Sequence, residues 1–246
     1  MITSAENPKV KDVLRLRKAR ERRRDGLFVA EGLREVDRAL AAGLVARAIY
    51  LAPELLPEWT GPTVEEVSAR VLAKMAYRAE PEGVVGVFEA PKRELPSDAT
   101  LVLVAVQIEK PGNVGAMART ADAAGADALL VGGPTFDPWN PNAIRASTGA
   151  VFTLPVVEVT QADVSALPYA KVAAVLGSRK AHTEVDYTER TAFLIGAEDV
   201  GLDDSWRQLA DTEVSIPMKG TAADSLNAST AAAVLLFEAV RQRAAT

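Results

Sequence analysis

One segment constrains the fold of this 246-residue chain more than any other: residues 101–108, with the sequence LVLVAVQI. A strand that is apolar on both faces is typical of a parallel sheet covered by helices on both sides. The run is also far shorter than the roughly 20 apolar residues that a membrane-spanning helix needs. It therefore predicts an α/β domain built on a buried, mostly parallel sheet.

The rest of the second half follows the same pattern, with short apolar runs separated by segments of helical periodicity. The predicted strands are 101–108, 128–131, 171–176, 192–195 and 213–216, and the predicted helices are 113–124, 143–149 and 227–243. Strands that alternate with helices favour an open, mostly parallel sheet in this domain.

The first ninety residues predict a smaller α/β domain. Strands are expected at 27–30, 46–51 and 84–88, and helices at 10–24, 33–42 and 64–76. Residues 91–98 read PKRELPSD, which is polar, contains two prolines and lacks the periodicity of its neighbours. The sequence thus predicts a domain over 1–92, a linker over 93–98 and a second domain over 99–246.

Composition excludes several classes of site. The chain has no cysteine and a single histidine, His182, so disulfide scaffolds, thiolate metal sites and Ser-His-Asp triads are not expected. We expect no metal site and a cytoplasmic location. Nothing in the sequence predicts an exported or membrane-spanning segment.

The charge is unevenly distributed. The chain has a net charge of −5, yet residues 1–24 hold nine lysines or arginines against three acidic residues. Such a basic segment can neutralise the phosphates of RNA or DNA, although a solvated helix face would have the same composition.

Three polar, glycine-bearing segments follow predicted strands, at 109–120, 196–202 and 216–229. Ligands bind at the carboxyl ends of strands in open parallel sheets, so these segments are candidates for one site. In the first segment Arg119 is expected on the same helix face as the polar loop residues that begin at Asn113. Simpler interpretations remain: an ordinary turn with a surface arginine, a helix cap at Glu198, and an N-cap at Ser225 or Asn227.

Taken together and in order, these segments resemble the SpoU (TrmH) branch of the SPOUT RNA methyltransferases. The matching sequences are NVGA at 113–116, RTA at 119–121, GAE at 196–198, GL at 201–202, IPM at 216–218 and SLNAS at 225–229. The sequence FVAEG at 28–32 resembles the substrate-binding domain that precedes the catalytic domain in this family. The resemblance therefore covers nearly the whole chain.

This resemblance implies a homodimeric enzyme that transfers a methyl group from S-adenosylmethionine to a ribose 2′-hydroxyl of RNA. Ribosomal RNA is the expected target, with transfer RNA as the alternative. It also implies a deep trefoil knot in the second domain, which no sequence periodicity reveals. The implied cofactor-binding residues are Leu176, Gly177, Gly196, Ile216, Met218, Leu226 and Ala228.

The resemblance places Arg119 nearest the reacting hydroxyl, with Asn113, Glu198, Ser225 and Asn227 orienting the ribose and the arginine. Arginine keeps its proton at ordinary pH, so we expect Arg119 to stabilise a developing alkoxide and grip a phosphate. The residues expected to contact RNA phosphates are Arg22, Arg23, Arg24 and Arg145, although Arg145 could equally have only a role on a helix surface.

Two other classes of function compete with this interpretation. A non-catalytic RNA-binding protein could keep the fold, but the presence of Arg119, Glu198 and Asn227 argues against it. A nicotinamide oxidoreductase on a doubly wound sheet is disfavoured because the G-x-G-x-x-G fingerprint is absent.

Overall fold

A computed structural model describes residues 1–62, 64–133, 137–222 and 224–245 of the chain. The chain forms two compact units: residues 1–92 together with 139–153, and residues 93–138 together with 154–246. The helices are α1 Pro8–Arg15, α2 Ala19–Asp25, α3 Leu33–Ala41, α4 Ala69–Met75, α5 Pro111–Ala123, α6 Pro141–Ser147, α7 Gln161–Ser165, α8 Asp204–Arg207 and α9 Ala228–Arg243. The strands are β1 Leu27–Glu31, β2 Ala46–Leu51, β3 Val64–Glu66, β4 Val84–Glu89, β5 Leu101–Val106, β6 Ala128–Gly132, β7 Val156–Val159, β8 Ala170–Ala174, β9 Thr191–Ile195 and β10 Thr212–Val214.

The first unit is built on a four-stranded sheet in the order β1-β4-β2-β3. Strand β4 pairs antiparallel with both β1 and β2, whereas β3 runs parallel to β2. The prediction of one helix over 64–76 is wrong at its start, because residues 64–66 pair with β2. The helix begins only after Ser68, whose hydroxyl accepts a hydrogen bond from the N–H of Val71.

The basic N-terminal segment forms two helices where one was predicted. α1 ends after Arg15, and α2 begins at Ala19. The Arg22 guanidinium explains the break, because it donates to the carbonyl oxygens of Leu16 at 2.6 Å and Arg17 at 2.8 Å. These carbonyls lie at the end of α1, where no further turn of helix can satisfy them.

Residues 139–153 pack within the first unit, although the predicted division at 93–98 places them in the second domain. Phe28 of β1 stacks on Trp139, with ring centroids 4.5 Å apart, and on Phe152 at 5.7 Å. The Arg38 guanidinium of α3 also donates to the carbonyl of Thr148. Aromatic stacking across such a long sequence separation leaves no local signal, which is why residue order alone does not reveal it.

The second unit confirms the predicted α/β fold. Its six strands run parallel in the order β10-β8-β9-β5-β6-β7. Every residue of β5 is buried, as the apolar run predicts. The chain lays β6 and β7 on one side of β5 and then returns to the other side for β8, β9 and β10. Such reversals of strand order are where open α/β sheets bind ligands.

The sequence-based prediction misses β7, α7 and α8. Strand β7 is at the sheet edge and only half-buried, so it lacks the apolar run that marks a central strand. The other two elements have only four or five residues and are set by local caps: Thr160 with Asp163 for α7, and Asp203 for α8. In the ranges that the structure describes, no helix has the length and apolarity needed to span a membrane.

Candidate active site

A cavity of about 290 Å³ lies in the second unit at the carboxyl ends of β8, β9 and β10. Most of its lining comes from three lengths of chain: residues 174–176 at the end of β8, residues 195–202 at the end of β9, and residues 214–218 with 225–231 between β10 and the first turn of α9. Arg207 of α8 also contributes. These three strands are neighbours in the sheet, so their following loops converge at one edge.

The loop after β9 doubles back on itself. The N–H of Gly201 donates to the carbonyl of Ala197 at 2.9 Å, and Gly201 has a φ of +67°. A β-carbon added at Gly196 would lie 2.1 Å from the carbonyl carbon of Gly201. Gly196 thus permits a close main-chain approach that a side chain would prevent, and Gly201 permits the left-handed turn that brings the main chain back.

Six of the seven residues predicted to bind a cofactor line this cavity: Leu176, Gly196, Ile216, Met218, Leu226 and Ala228. The seventh, Gly177, does not line the cavity, and a β-carbon added there would meet no atom within 4 Å. Its φ of +74° indicates that glycine is needed there for the turn after β8. Glu198 and Ser225, both predicted to be catalytic, also form part of the cavity wall.

Three predicted catalytic side chains meet beside the cavity. The Asn227 side-chain amide donates to the Glu198 carboxylate and, at 3.4 Å, to the side-chain oxygen of Asn113. The same Asn227 also caps α9, because its Oδ1 accepts from the N–H groups of Ser229 and Thr230. Asn227 therefore serves in both of the predicted ways: its side-chain oxygen caps α9, and its side-chain nitrogen contacts the other site residues. Glu198 does not cap the helix that follows it, because Asp203 caps α8. Its carboxylate instead accepts a backbone hydrogen bond from Ala228, at the start of α9.

Lys110 belongs to this cluster, although the sequence did not single it out. Its Nζ lies 2.9 Å from Glu198 Oε2. Hydrogen bonding to Lys110 is the main cause that lowers the pKa of Glu198, with a further contribution from Asn113. The pKa of Lys110 is raised by the same contact. Its position beside the start of α5, in a loop that holds Asn113, is the only signal that could have identified it.

A second cavity of about 150 Å³ lies against this cluster and is lined by Lys110, Asn113 and Glu198. The Glu198 carboxylate thus borders both cavities. An ionised carboxylate with an amide and an ammonium group beside it can orient a sugar hydroxyl and accept hydrogen bonds from it.

Arg119 does not reach either cavity within one chain. It is exposed on α5, and its guanidinium has no hydrogen-bond or ion-pair partner in the described part of the chain. The expectation that Arg119 shares a face with Asn113 is wrong, because six residues turn a helix by about 600°, which leaves the two side chains roughly 120° apart.

The four predicted RNA-binding arginines have different environments. Arg22 is buried and bound to main-chain carbonyls, so the prediction that it contacts phosphate is wrong. Arg24 is exposed but paired with Glu21 at 2.7 Å and Asp25 at 2.8 Å. Arg23 and Arg145 are exposed, and Arg145 donates to the side chain of Asn142 at 3.0 Å.

Acidic and histidine side chains form no cluster of three that could hold a metal ion within the described ranges.

Comparisons with known families agree with this geometry. Residues 100–237 match the model of the SpoU rRNA Methylase family, and residues 7–86 match that of the MRM3-like substrate binding domain. The first match contains both cavities and the Glu198 cluster.

Individual relatives are similar over nearly the full length. The chain is 35% identical to a 23S rRNA (uridine(2479)-2′-O)-methyltransferase of Streptomyces viridochromogenes, covering 91% of this chain and 85% of that protein. It is 31% identical to the 23S rRNA (guanosine(2553)-2′-O)-methyltransferase RlmP of Bacillus subtilis, covering 96% and 97%. An AdoMet-bound rRNA methyltransferase from Sinorhizobium meliloti superimposes with a TM-score of 0.86 at 32% identity, covering 98% and 97%.

Proposed function

Because the chain belongs to the SpoU rRNA methylase family, we propose that the Glu198 cluster and the adjoining cavity form the active site of an rRNA 2′-O-methyltransferase. The enzyme transfers a methyl group from S-adenosylmethionine to a ribose 2′-hydroxyl of ribosomal RNA. The convergence of three loops on a cavity bordered by Glu198 carries this assignment. A nicotinamide oxidoreductase is excluded by the family, and the relatives favour rRNA over transfer RNA.

The cavity fits S-adenosylmethionine. Its volume is close to the lower end of the roughly 300–1,000 Å³ typical of small-molecule sites. Leu176, Ile216, Met218 and Leu226 give it apolar walls suited to an adenine ring. Gly196 contributes main chain without a side chain to its wall, and Glu198 supplies a negative charge. These residues would hold the cofactor.

When bound, S-adenosylmethionine supplies a methyl group that its sulfonium already activates. The remaining task of the protein is to hold the 2′-hydroxyl in line and to assist loss of its proton. We assign the orientation of the ribose to Glu198, Asn227, Asn113 and Ser225. The Lys110 ammonium keeps Glu198 ionised, so that its carboxylate accepts a hydrogen bond from a sugar hydroxyl.

We further propose a homodimer in which Arg119 of the partner subunit completes the site. The support is that Arg119 lies exposed and unpartnered in the described chain, away from the cavity. A guanidinium suits both the stabilisation of an alkoxide and the bidentate binding of a phosphate. Exposed apolar side chains at Leu176, Val200 and Phe237 supply surface that a dimer would cover.

The first domain, over the predicted range 1–92, is proposed to bind the RNA substrate. Its match to a substrate-binding domain supports this role. Arg23, Arg24 and Arg145 remain candidates for phosphate contacts, whereas the burial of Arg22 removes it from the accessible surface. An rRNA substrate also favours the predicted cytoplasmic location.

The trefoil knot implied by the resemblance is likewise a proposal for residues 99–246. It is supported by the convergence of the segments at 195–202 and 214–218, which follow strands on either side of β8.

The function is tested by incubating the purified protein with tritiated S-adenosylmethionine and a 23S rRNA transcript, followed by mapping of 2′-O-methyl positions. We expect one ribose to be methylated, and transfer RNA to remain unlabelled.

An Arg119→Ala variant should lose at least about 100-fold in methyl transfer while binding S-adenosylmethionine normally. The matched control is Arg190→Ala, which removes another exposed arginine of the second unit. Methylation of a base, or full activity of Arg119→Ala, would contradict these assignments.

A further inference from the structure

Tyr77, two residues after the end of α4, presents a large aromatic ring on the surface of the first unit. The residue is 49% exposed, unlike Tyr50 of the same unit, which is buried. Its ring borders a small surface cavity with Arg17, Met75 and Pro141. That cavity measures only about 10 Å³, so it cannot admit a ring of its own. A planar ligand would instead have to lie against the exposed face of the tyrosine.

A buried carboxylate fixes the main chain that carries this ring. Glu31, only 9% exposed, accepts hydrogen bonds from the N–H groups of Tyr77 and Arg78. The Arg78 guanidinium closes the arrangement through ion pairs with Glu31 at 3.6 Å and Glu35 at 3.3 Å. An exposed ring on a main chain held in this way loses little conformational freedom when a ligand stacks on it.

A cation is fixed beside the ring. Arg17 donates through Nη2 to the carbonyls of Lys74 at 2.9 Å and Ala76 at 2.6 Å, the latter being the residue before Tyr77. Its Nε and Nη1 have no partner among the residues that the structure describes. The next residue, Lys18, is also exposed. An aromatic face with free cationic donors beside it complements a nucleotide, whose base stacks and whose phosphate is an anion.

We propose that Tyr77 and Arg17 form a binding site for an unpaired nucleotide of RNA. The Tyr77 ring stacks on the base, the free donors of Arg17 contact an adjacent phosphate, and Glu31 acts as a positioning residue for the ring. This proposal rests on the proposed function, because it assumes that the substrate of the enzyme is RNA. It gives the FVAEG sequence at 28–32 a role in recognition, through Glu31.

The test uses the full-length protein, a fluorescein-labelled single-stranded RNA of twelve nucleotides in mixed sequence, and the same RNA in a duplex. Tyr77→Ala is expected to weaken single-strand binding about tenfold in fluorescence anisotropy, with little effect on the duplex. Tyr77→Phe keeps the stacking face and should bind within about twofold of the wild type. Val45→Ala, at another exposed apolar residue of this unit, is the matched control and should be silent.

A double-mutant cycle tests the positioning role. Glu31→Gln should weaken single-strand binding in the wild-type background and have no added effect in Tyr77→Ala, because both changes remove the same contact. Equal weakening in both backgrounds would overturn the assignment of Glu31. The proposed site would be refuted if the wild type did not bind the single-stranded RNA, or if Tyr77→Ala bound it as tightly as the wild type. Binding of an apolar peptide at Tyr77 instead of RNA would also refute it.

Calorimetry with S-adenosylmethionine on the same preparations separates this proposal from the proposed function. Tyr77→Ala should bind S-adenosylmethionine as the wild type does. If the wild type bound RNA through Tyr77 but failed to bind S-adenosylmethionine, the RNA site would stand and the methyltransferase assignment would fall.

Discussion

At the scale of single residues, the chemistry of the site depends on how Glu198 is kept charged. Its carboxylate receives the Asn227 amide on one oxygen and the Lys110 ammonium on the other. Hydrogen bonds that stabilise the ionised form lower the pKa of a carboxyl group. The side chain therefore remains an acceptor in mildly acidic solution, where an unassisted glutamate would begin to take up a proton.

Lys110→Ala should move the acidic limb of the pH–rate profile to higher pH. The folded-state pKa of Glu198 lies below its ordinary value mainly because of Lys110, so removing the ammonium raises it. Lys110→Arg should restore the wild-type profile, since a guanidinium keeps the charge and the donors. Methyl transfer measured from acidic to neutral pH checks both outcomes. Lys180→Ala, at another exposed lysine of the second unit, serves as control; an unshifted limb in Lys110→Ala would refute the coupling.

The site residues show how far sequence can lead. Asn113, Glu198 and Asn227 were predicted from loop position and resemblance, and the structure brings them together. The sequence does not reveal the role of Lys110, because a lysine in a surface loop has no distinctive spacing. Composition does not distinguish Arg22 from the other arginines, whereas in the structure its guanidinium satisfies carbonyls at the end of α1. Charge is visible in a sequence, but the partner of each charge is not.

At the scale of elements, the loop after β9 depends on the absence of a side chain at Gly196. An added β-carbon would lie far inside van der Waals contact with Gly201, so the loop would have to move. We expect Gly196→Ala to weaken S-adenosylmethionine binding by at least about tenfold, because the loop walls the cavity. Calorimetric titration measures this loss. Gly112→Ala is the control, since a β-carbon there meets no atom within 4 Å; unchanged affinity in Gly196→Ala would argue against a cofactor at this loop.

The C-terminal end of helix α9 is stabilised by the buried carboxylate of Glu238. Glu238 accepts from Arg241 and Gln242, and Gln242 in turn accepts from the N–H of Tyr187. The contacts with Arg241 and then Gln242 lower the pKa of Glu238 to about 2. A carboxyl whose pKa is lower in the folded state stabilises the fold above its unfolded pKa, and that stabilisation disappears as pH falls through the folded value.

Glu238→Gln should therefore lower the free energy of unfolding by about 1–2 kcal/mol at neutral pH, because it removes charge-assisted hydrogen bonds. The difference from the wild type should shrink as the pH falls from about 4.5 towards 2. Urea denaturation at neutral and acidic pH measures both values. Asp122→Asn, on the exposed face of α5, should change stability little at either pH. A deficit that persists unchanged in acid would show that packing, rather than charge, is the cause.

The sequence predicts the buried strands more accurately than the half-exposed ones. β5 and β9 are buried throughout, and each was predicted within two residues at either end. Strand β3 and edge strand β7 were not, because their few residues are half-exposed and depend on a partner strand for definition. Hydrophobic periodicity indicates which face of an element packs against the core. The pattern is therefore weakest in elements that have few buried residues.

At the scale of the whole molecule, the proposal of a dimer starts from the position of Arg119, which does not line the cavity of its own chain. A cavity with an ionised carboxylate lies in the second unit, while the candidate guanidinium of Arg119 is exposed elsewhere on the same unit. Phe237 is 48% exposed on α9, which otherwise packs against α5 and β9. If Phe237 lies in the proposed dimer interface, Phe237→Asp should place a charge there and yield a monomer in sedimentation velocity, with methyl transfer largely lost. A fully active monomer would contradict a shared site.

Complementation gives the sharper test, because it asks which subunit supplies each group. Arg119→Ala and Glu198→Gln are each expected to be inactive alone. If the two residues act across the dimer, a mixed dimer contains one site with both groups intact and one site with neither. Random pairing makes about half of the dimers mixed, so co-expression should restore about a quarter of the wild-type activity. If both residues act within one subunit, every site in the mixture is defective and no activity returns, which would require Arg119 to reach the cavity by a movement of its own chain.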